Sequence, residues 1–199
     1  MRAASLEELE AAYGTPGEAA TVKVARRVTP LYRAWIEAAR FCVLTTVGPE
    51  GTDGSPRGDE GPVVQIWDEG TLAMPDWRGN ERIDSLRNVV RDGRVSLMFM
   101  VPGHPNVVRV NGRGFVTLDE DALGRFERDG KMPRSVIVVE IGEIYSQCAR
   151  ALIRAELWGG MEKPDLPSVG EILREMSEGR IDGAAYDEAW PGRAAATMW

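Results

Sequence analysis

Two short arginine-containing segments are the first candidates for chemistry in this sequence. "SPRGDEGP" (55–62) follows an apolar run, and "PDWRGNERIDSL" (75–86) leads into a predicted helix. Both place Gly, Arg and hydroxyl or amide side chains where a predicted strand ends. Free N–H groups at a helix start, the positive end of the helix dipole and a guanidinium group together favour an anion. The segments are either ordinary surface turns or two sides of one anion-binding site.

The helix start offers the more complete candidate for a phosphate site. Asn80, Arg82 and Ser85 lie beside the predicted first turn and could bind a phosphate. The sequence "GNERIDSL" has neither the Gly-Lys-Ser/Thr ending of a Walker A loop nor a dinucleotide-binding fingerprint. The alternative is a helix capped by Asn80 or Asp84, with Arg82 in solvent.

Arg57 has the same two interpretations. Pro56 restricts the local backbone, and Gly58 would let a ligand approach closely. The Arg57 guanidinium could then bind a phosphate or a ring carbonyl. As the alternative, Arg57 is a surface loop residue.

Three further residues are weaker candidates. Arg109 and Asn111 alternate with valines, so their side chains share one strand face that is either solvent-exposed or part of a polar pocket. Trp158 and Arg154 are four residues apart in a predicted helix, where Trp158 either stacks on a flat ligand or closes the core.

Other chemistries find little support. His104, the one histidine, lies in a Pro-flanked turn, which is poorly suited to a nucleophile–histidine site. Cys42 and Cys148 lack metal-ligand spacing and indicate reduced thiols rather than a disulfide framework. The carboxylates form no distinctive pair, so neither a metal site nor a catalytic acid or base is predicted.

The elements that must position these residues are mostly strands. Short β-branched or aromatic segments bounded by Gly, Pro and Asp predict strands at 41–47, 62–68, 71–75, 94–101, 106–118 and 135–146. Short connections favour an antiparallel sheet, and six strands suit a small closed or half-closed barrel. Helices are predicted at 5–14 with a capping box at its start, at about 21–38, at about 80–91, at 148–158, and in two pieces of the tail.

Composition excludes several classes of protein. The 199 residues are 43% hydrophobic and 28% charged, which is typical of a globular chain. A formal net charge of −7 argues against general nucleic-acid or anionic-membrane binding, although the arginines are locally concentrated. No apolar run reaches the roughly 20 residues that span a bilayer, and no signal peptide is evident, so a cytoplasmic protein is expected.

Taken in order, the motifs resemble a known family. The stretch from "FCVLTTV" to "RVNGRGFVT" resembles the pyridoxamine 5'-phosphate oxidase-like, FMN-binding split-barrel flavoproteins. It is most similar to a bacterial branch marked by S-P-R-G-D, P-D-x-x-G-N-x-R-x-D-S-L, V-P-G and R-V-N-G, and the likeness covers roughly residues 5–199.

The resemblance implies a mainly β fold with flanking helices, a six-stranded antiparallel split barrel assembled as a homodimer with FMN at the subunit interface. The expected organisation is helices at 1–40 packed on the barrel, the FMN-binding barrel at 41–147, and a helical extension at 148–199 that packs on the barrel or on a partner subunit. The implied partners are a small-molecule substrate and either a nicotinamide nucleotide or oxygen, with no nucleic acid and no membrane.

The resemblance also implies roles for individual residues. The strand around Ser55, Arg57 and Gly58 would line the flavin and contribute to its phosphate site. Pro75 and Asp76 would lie beside the ribityl chain or ring. The remaining FMN-binding candidates are the phosphate residues Asn80, Arg82 and Ser85, then Arg109 and Asn111 near the other side of the flavin, and Trp158 from the second subunit.

Two departures from the family pattern limit the expected activity. True pyridoxamine phosphate oxidases carry R-x-V-L-L-K where this chain has residues 56–60, so a phosphate-binding lysine is absent, and their W-R-L-x-P signature has no match. In the closer branch a histidine often precedes the cysteine, whereas Gln147 stands here. The expected function is therefore an FMN-dependent oxidoreductase of an unidentified small molecule, or else a flavin-binding protein without turnover, or a haem- or F420-binding variant of the barrel.

Overall fold

One antiparallel sheet organises the chain. The structure is a computed structural model that describes residues 2–160 and 162–198. In these residues the strands are β1 (Phe41–Gly48), β2 (Gly51–Gly58), β3 (Gln65–Ile66), β4 (Thr71–Asp76), β5 (Arg94–Met100), β6 (Val107–Thr117) and β7 (Ser135–Gln147). The helices are α1 (Leu6–Tyr13), α2 (Glu18–Thr21), α3 (Pro30–Ala38), α4 (Asp84–Arg91), α5 (Glu120–Gly124), α6 (Arg150–Arg154), α7 (Val169–Met176) and α8 (Gly183–Thr197). Met1, Met161 and Trp199, which belong to the predicted regions 1–40 and 148–199, lie outside the described residues.

The sheet has the strand order β2-β1-β5-β6-β7-β4-β3 with antiparallel neighbours. It curls until β2 approaches the end of β4, and there side chains join the two strands in place of a backbone ladder. Arg57 of β2 forms an ion pair with Asp76 of β4. Just beyond these strands, the Trp77 indole N–H donates to the Asp59 carboxylate at 3.1 Å. The fold is therefore an antiparallel barrel split between β2 and β4.

Alternating strand residues fill the barrel. In β1, Cys42, Leu44 and Thr46 are fully buried while their neighbours are only partly so, as expected where one face of a strand meets a core. Apolar side chains of β5, β6 and β7 share this core, and Ile36 of α3 closes one side of it. Burial of this apolar surface is the main stabilising contribution.

Helix α4 is fixed against β1 by one buried polar contact. The Asn88 amide donates to the Thr46 hydroxyl at 3.1 Å. A Cβ at Gly48 would lie 2.0 Å from Asn88 Oδ1, so any other residue there would displace the Asn88 amide from this position. The start of α4 is consequently held next to β2.

The predicted fold class is confirmed, with seven strands in the described residues rather than six. The predicted strand at 62–68 is reduced to the two residues of β3. The interpretation of 55–58 as a turn after a strand is wrong, because these residues form the second half of β2. The strand that the resemblance implied there is the correct assignment.

The helices follow the sequence less closely. The capping box of Ser5 and Glu8 is present, and α1 ends at Gly14 as predicted. The single helix predicted at 21–38 is wrong: α3 begins at Pro30, a residue favoured in a first helical turn, and the preceding segment leaves helical structure after α2. The helix predicted at 148–158 is shorter, and within the described residues no helix is long and apolar enough to cross a membrane.

Candidate functional site

An open cleft of about 1230 Å³ runs along the split of the barrel. Its walls come from β2, the end of β4, the loop that leads to α4, the first turn of α4 and the start of β7. Eight of the eleven predicted site residues line it: Ser55, Arg57, Gly58, Pro75, Asp76, Asn80, Arg82 and Ser85. The two arginine-containing segments are therefore two sides of one cleft.

The first wall is formed by β2, in which Asp53, Ser55 and Arg57 are less exposed than the residues between them. Arg57 is largely buried, with 19% of its side chain exposed, and it pairs with the equally buried Asp76 across the split. Cys42 lies directly opposite Arg57 in the β1–β2 ladder. Burial raises the pKa of the Cys42 thiol to about 12, an effect that the nearby Arg57 charge opposes. Arg57 is thus a buried cation whose position is fixed by the fold.

Two buried polar atoms on this side have no hydrogen-bond partner among the described residues: Arg57 Nε and Ser135 Oγ. Ser135, at the start of β7, is only 4% exposed and lines the cleft. Buried polar groups in folded proteins almost always have a partner. A ligand rich in acceptor oxygens would supply one, so the residues present fit a group such as a flavin.

The second wall is the loop and the first turn of α4. The backbone at Glu81 and Ile83 has φ of 63° and 51°, a left-handed conformation that is uncommon outside glycine. Contrary to the interpretation with Asn80 or Asp84 as the cap, α4 begins after Ile83, an aliphatic residue that cannot cap it. Asn80 instead accepts from the Arg82 backbone N–H at 3.2 Å.

The polar side chains of this wall are paired with carboxylates. Arg82 Nε donates to Asp84 at 2.8 Å, and three quarters of the Arg82 side chain is exposed. The Ser85 hydroxyl donates to Asp53 of β2 at 2.5 Å. An anion that binds here must share these groups with the two carboxylates.

Three predicted residues lie outside the cleft. Arg109 lies over the ring of Tyr145 and donates to Gln147 at 3.4 Å, and Asn111 donates to Glu143 at 2.7 Å. Trp158 follows the end of α6, so its expected helical pairing with Arg154 is wrong. Its indole N–H donates to the His104 carbonyl at 2.9 Å.

Sequence reasoning missed many residues of the cleft, among them the polar residues Asp53, Arg78 and Ser135. Arg78 belongs to the motif "PDWRGN", so the sequence could have indicated it. It makes no ion pair within residues 2–160 and 162–198. Asp53 and Ser135 gave no comparable signal, because one stands in a Gly-rich strand and the other begins an apolar strand. Across the described part of the chain, no group of three or more His, Cys, Asp or Glu side chains could hold a metal ion.

Comparison with known proteins identifies the family. A family model described as pyridoxamine 5'-phosphate oxidase matches residues 28–148, which is more than half of the chain. The chain belongs to the pyridoxamine 5'-phosphate oxidase family. The matched residues include every strand and both walls of the cleft. The family resemblance that the sequence motifs indicated is confirmed at this level, whereas the branch within the family stays a prediction.

One solved structure shows the same fold at low sequence identity, and two others are less similar to this chain. HupZ from Group A Streptococcus is 15% identical and has a TM-score of 0.51, with 60% of this chain and 99% of that chain covered. An FMN-binding protein from Syntrophomonas wolfei is 15% identical with a TM-score of 0.43, covering 58% and 88% of the two chains. The FAD binding protein from Mycobacterium smegmatis is 13% identical with a TM-score of 0.41, covering 62% and 97%. The curated proteins contain no match to this chain.

Proposed function

We propose that the cleft binds FMN and that the protein is an FMN-dependent oxidoreductase acting on a small molecule. The observation that carries this proposal is the meeting of both predicted arginine segments in one cleft, beside two buried polar atoms that lack a partner. Membership of the pyridoxamine 5'-phosphate oxidase family supports it. The absence of the family's lysine and of its W-R-L-x-P signature argues against vitamin B6 oxidation.

The residues of the cleft divide into two groups according to the part of FMN that they would contact. Arg78 and Arg82, on the exposed loop, would bind the phosphate together with Asn80 and Ser85 at the start of α4. Ser55, Arg57, Gly58, Pro75 and Asp76 would line the rest of the cofactor. Bound FMN would supply hydride transfer at N5, while the protein supplies position and electrostatics.

We further propose a homodimer with FMN at the subunit interface. Three predicted site residues lie outside the cleft of their own chain: Arg109, Asn111 and Trp158. In a dimer with a shared site, such residues would contact the FMN in the cleft of the other subunit. Sedimentation at several protein concentrations tests this proposal. A mass of one chain at all concentrations would contradict it.

The purified protein tests the cofactor directly. We expect a yellow preparation with flavin absorbance bands, or a colourless one that takes up added FMN. A Soret band would indicate haem, and uptake of F420 in preference to FMN would indicate a deazaflavin protein. A colourless protein that binds no added FMN would overturn the proposal.

Anaerobic mixing with NADH or NADPH then separates an enzyme from a flavin-binding protein. An enzyme that uses a nicotinamide nucleotide loses its flavin absorbance within seconds and regains it when oxygen is admitted. A protein that only binds the flavin stays yellow with both nucleotides and with every oxidisable small molecule tried. That result would favour a storage, sensing or stress-response role.

A further inference from the structure

Ser135 has an unusual setting for a serine hydroxyl. It begins β7, is 4% exposed, and its Oγ has no hydrogen-bond partner within the described residues. It lines the same cleft as Arg57 and Asp76. A buried hydroxyl with no partner loses its bonds to water and gains none, which is unfavourable unless a ligand replaces them.

The strand register connects Ser135 to Arg57. Ser135 is the direct antiparallel partner of Asp76, so their side chains lie on the same face of the sheet. Asp76 in turn forms the ion pair with Arg57, whose Nε is the other buried atom without a partner. Ser135 and Arg57 are therefore both neighbours of Asp76, one through the strand ladder and the other through the ion pair.

The local charge decides which ligand group fits. Arg57 is already neutralised by Asp76, and a phosphate dianion placed here would face that carboxylate. A neutral acceptor such as a carbonyl oxygen meets no such repulsion. Leu118, which follows β6 beside Ser135, lines the same cleft with an exposed side chain and provides apolar surface for a flat ring.

We infer that Ser135 and Arg57 bind the carbonyl-bearing edge of a planar heteroaromatic ring, with Arg57 Nε–H and the Ser135 hydroxyl donating to ring oxygens. This inference rests on the proposed function, because the flavin ring is the ligand that would present this edge. Under this inference, residues of β2 and β7 bind the ring, whereas the loop before α4 binds the phosphate.

Affinities for FMN and riboflavin test this division, because riboflavin has the same ring and no phosphate. Ser135→Ala should weaken the binding of both flavins by about five- to tenfold, the value of one hydrogen bond. It should also shift the near-ultraviolet flavin band, which responds to hydrogen bonds at the ring carbonyls. Unfolding of the ligand-free protein should be unchanged, because the substituted hydroxyl has no partner to lose.

Ser177→Ala is the matched control. Ser177 is also buried, at 6% exposed, but its hydroxyl accepts from the Ile181 backbone N–H at 3.0 Å and donates to the Arg174 carbonyl at 3.3 Å, away from the cleft. This variant should lower the unfolding midpoint and leave both flavin affinities unchanged. If Ser135→Ala fails to fold, Ser135→Cys, which keeps a weak donor of similar size, takes its place in the comparison.

Each outcome has one meaning. Equal loss of FMN and riboflavin affinity together with the band shift supports the inference. Unchanged affinities in a folded variant, or a loss confined to FMN, overturn it while the proposed function stands. Wild-type protein that binds neither flavin overturns the proposed function and removes the inference with it.

Discussion

The two walls of the cleft carry similar side chains in opposite settings. On β2, Arg57 is 19% exposed and is held by a carboxylate from across the barrel. On the loop before α4, Arg82 is 75% exposed and pairs with Asp84, two residues further along the same chain segment. One arginine is part of the fold and the other is available to a ligand. Two arginines in similar sequence motifs can therefore differ in how far the fold itself holds them.

The largest expected difference between the walls is in stability. Arg57→Ala leaves Asp76 largely buried without its partner, and we expect the free energy of unfolding to fall by about 2–4 kcal/mol. Arg82→Ala should change it by less than about 0.5 kcal/mol, because exposed pairs contribute little. Urea unfolding of the ligand-free proteins measures both values. Equal losses would show that the two arginines do not differ as described.

For binding of the phosphate group, we expect Arg82 to matter more than Arg57. Arg82→Ala should weaken FMN binding by roughly 1.5–3 kcal/mol, the scale of a charge-assisted hydrogen bond, and should affect riboflavin much less. Fluorescence titration with each flavin measures the two affinities. Arg91→Ala is the control, because Arg91 ends the same helix and pairs with Glu50 away from the cleft at 3.2 Å. Losses of equal size for FMN and riboflavin would show that Arg82 does not contact the phosphate.

Much of the scaffold could be predicted because burial follows the strand alternation. In β1, "FCVLTTV" places Cys42, Leu44 and Thr46 on one face, and the structure buries that face. The strand pattern alone did not predict β2, and the reason is physical. Its sequence "GTDGSPRG" is rich in Gly and Pro, which are depleted in strands, but β2 is an edge strand, where proline is tolerated.

Only those residues of the cleft that belong to short contiguous motifs could be predicted from the sequence. The residues of "SPRGD" and "PDWRGN" were found because each motif is local in the sequence. Ser135 lies 55 residues after the end of "PDWRGN" and reaches the cleft through the β4–β7 register, in which it pairs with Asp76. No pattern in one sequence reveals that pairing. In the same way, the pairing of Ser85 with Asp53 depends on how α4 packs over β1.

The pH dependence of stability tests whether the Cys42 thiol, which lies opposite Arg57, is buried. Burial raises the pKa of Cys42 to about 12, above its value of roughly 8.5 in an unfolded chain. The neutral thiol is therefore favoured by the fold, and its contribution to stability is complete below about pH 8.5 and lost as the pH rises towards 12. Wild type should lose about 1–2 kcal/mol more than Cys42→Ala between pH 8 and 10. Cys148→Ala, which removes the exposed thiol, is the control for the loss of a thiol as such. Parallel pH profiles for wild type and Cys42→Ala would show that the Cys42 side of β1 is open to solvent.

Asp53 provides the finest test of how the two walls meet. Its carboxylate, on β2, accepts from the Ser85 hydroxyl at the start of α4, where the helix dipole favours a negative charge. A phosphate bound at that helix start would be repelled by this carboxylate. Asp53→Asn should therefore strengthen FMN binding by about 0.5–1 kcal/mol and leave riboflavin binding nearly unchanged. Glu50→Gln removes a carboxylate from the same hairpin outside the cleft and should alter neither affinity. Because screening weakens exposed charges, the gain should shrink between 0.05 and 0.5 M salt. A loss of FMN affinity in Asp53→Asn would instead mean that the carboxylate positions Ser85 for the ligand, and the two walls would then act as one unit.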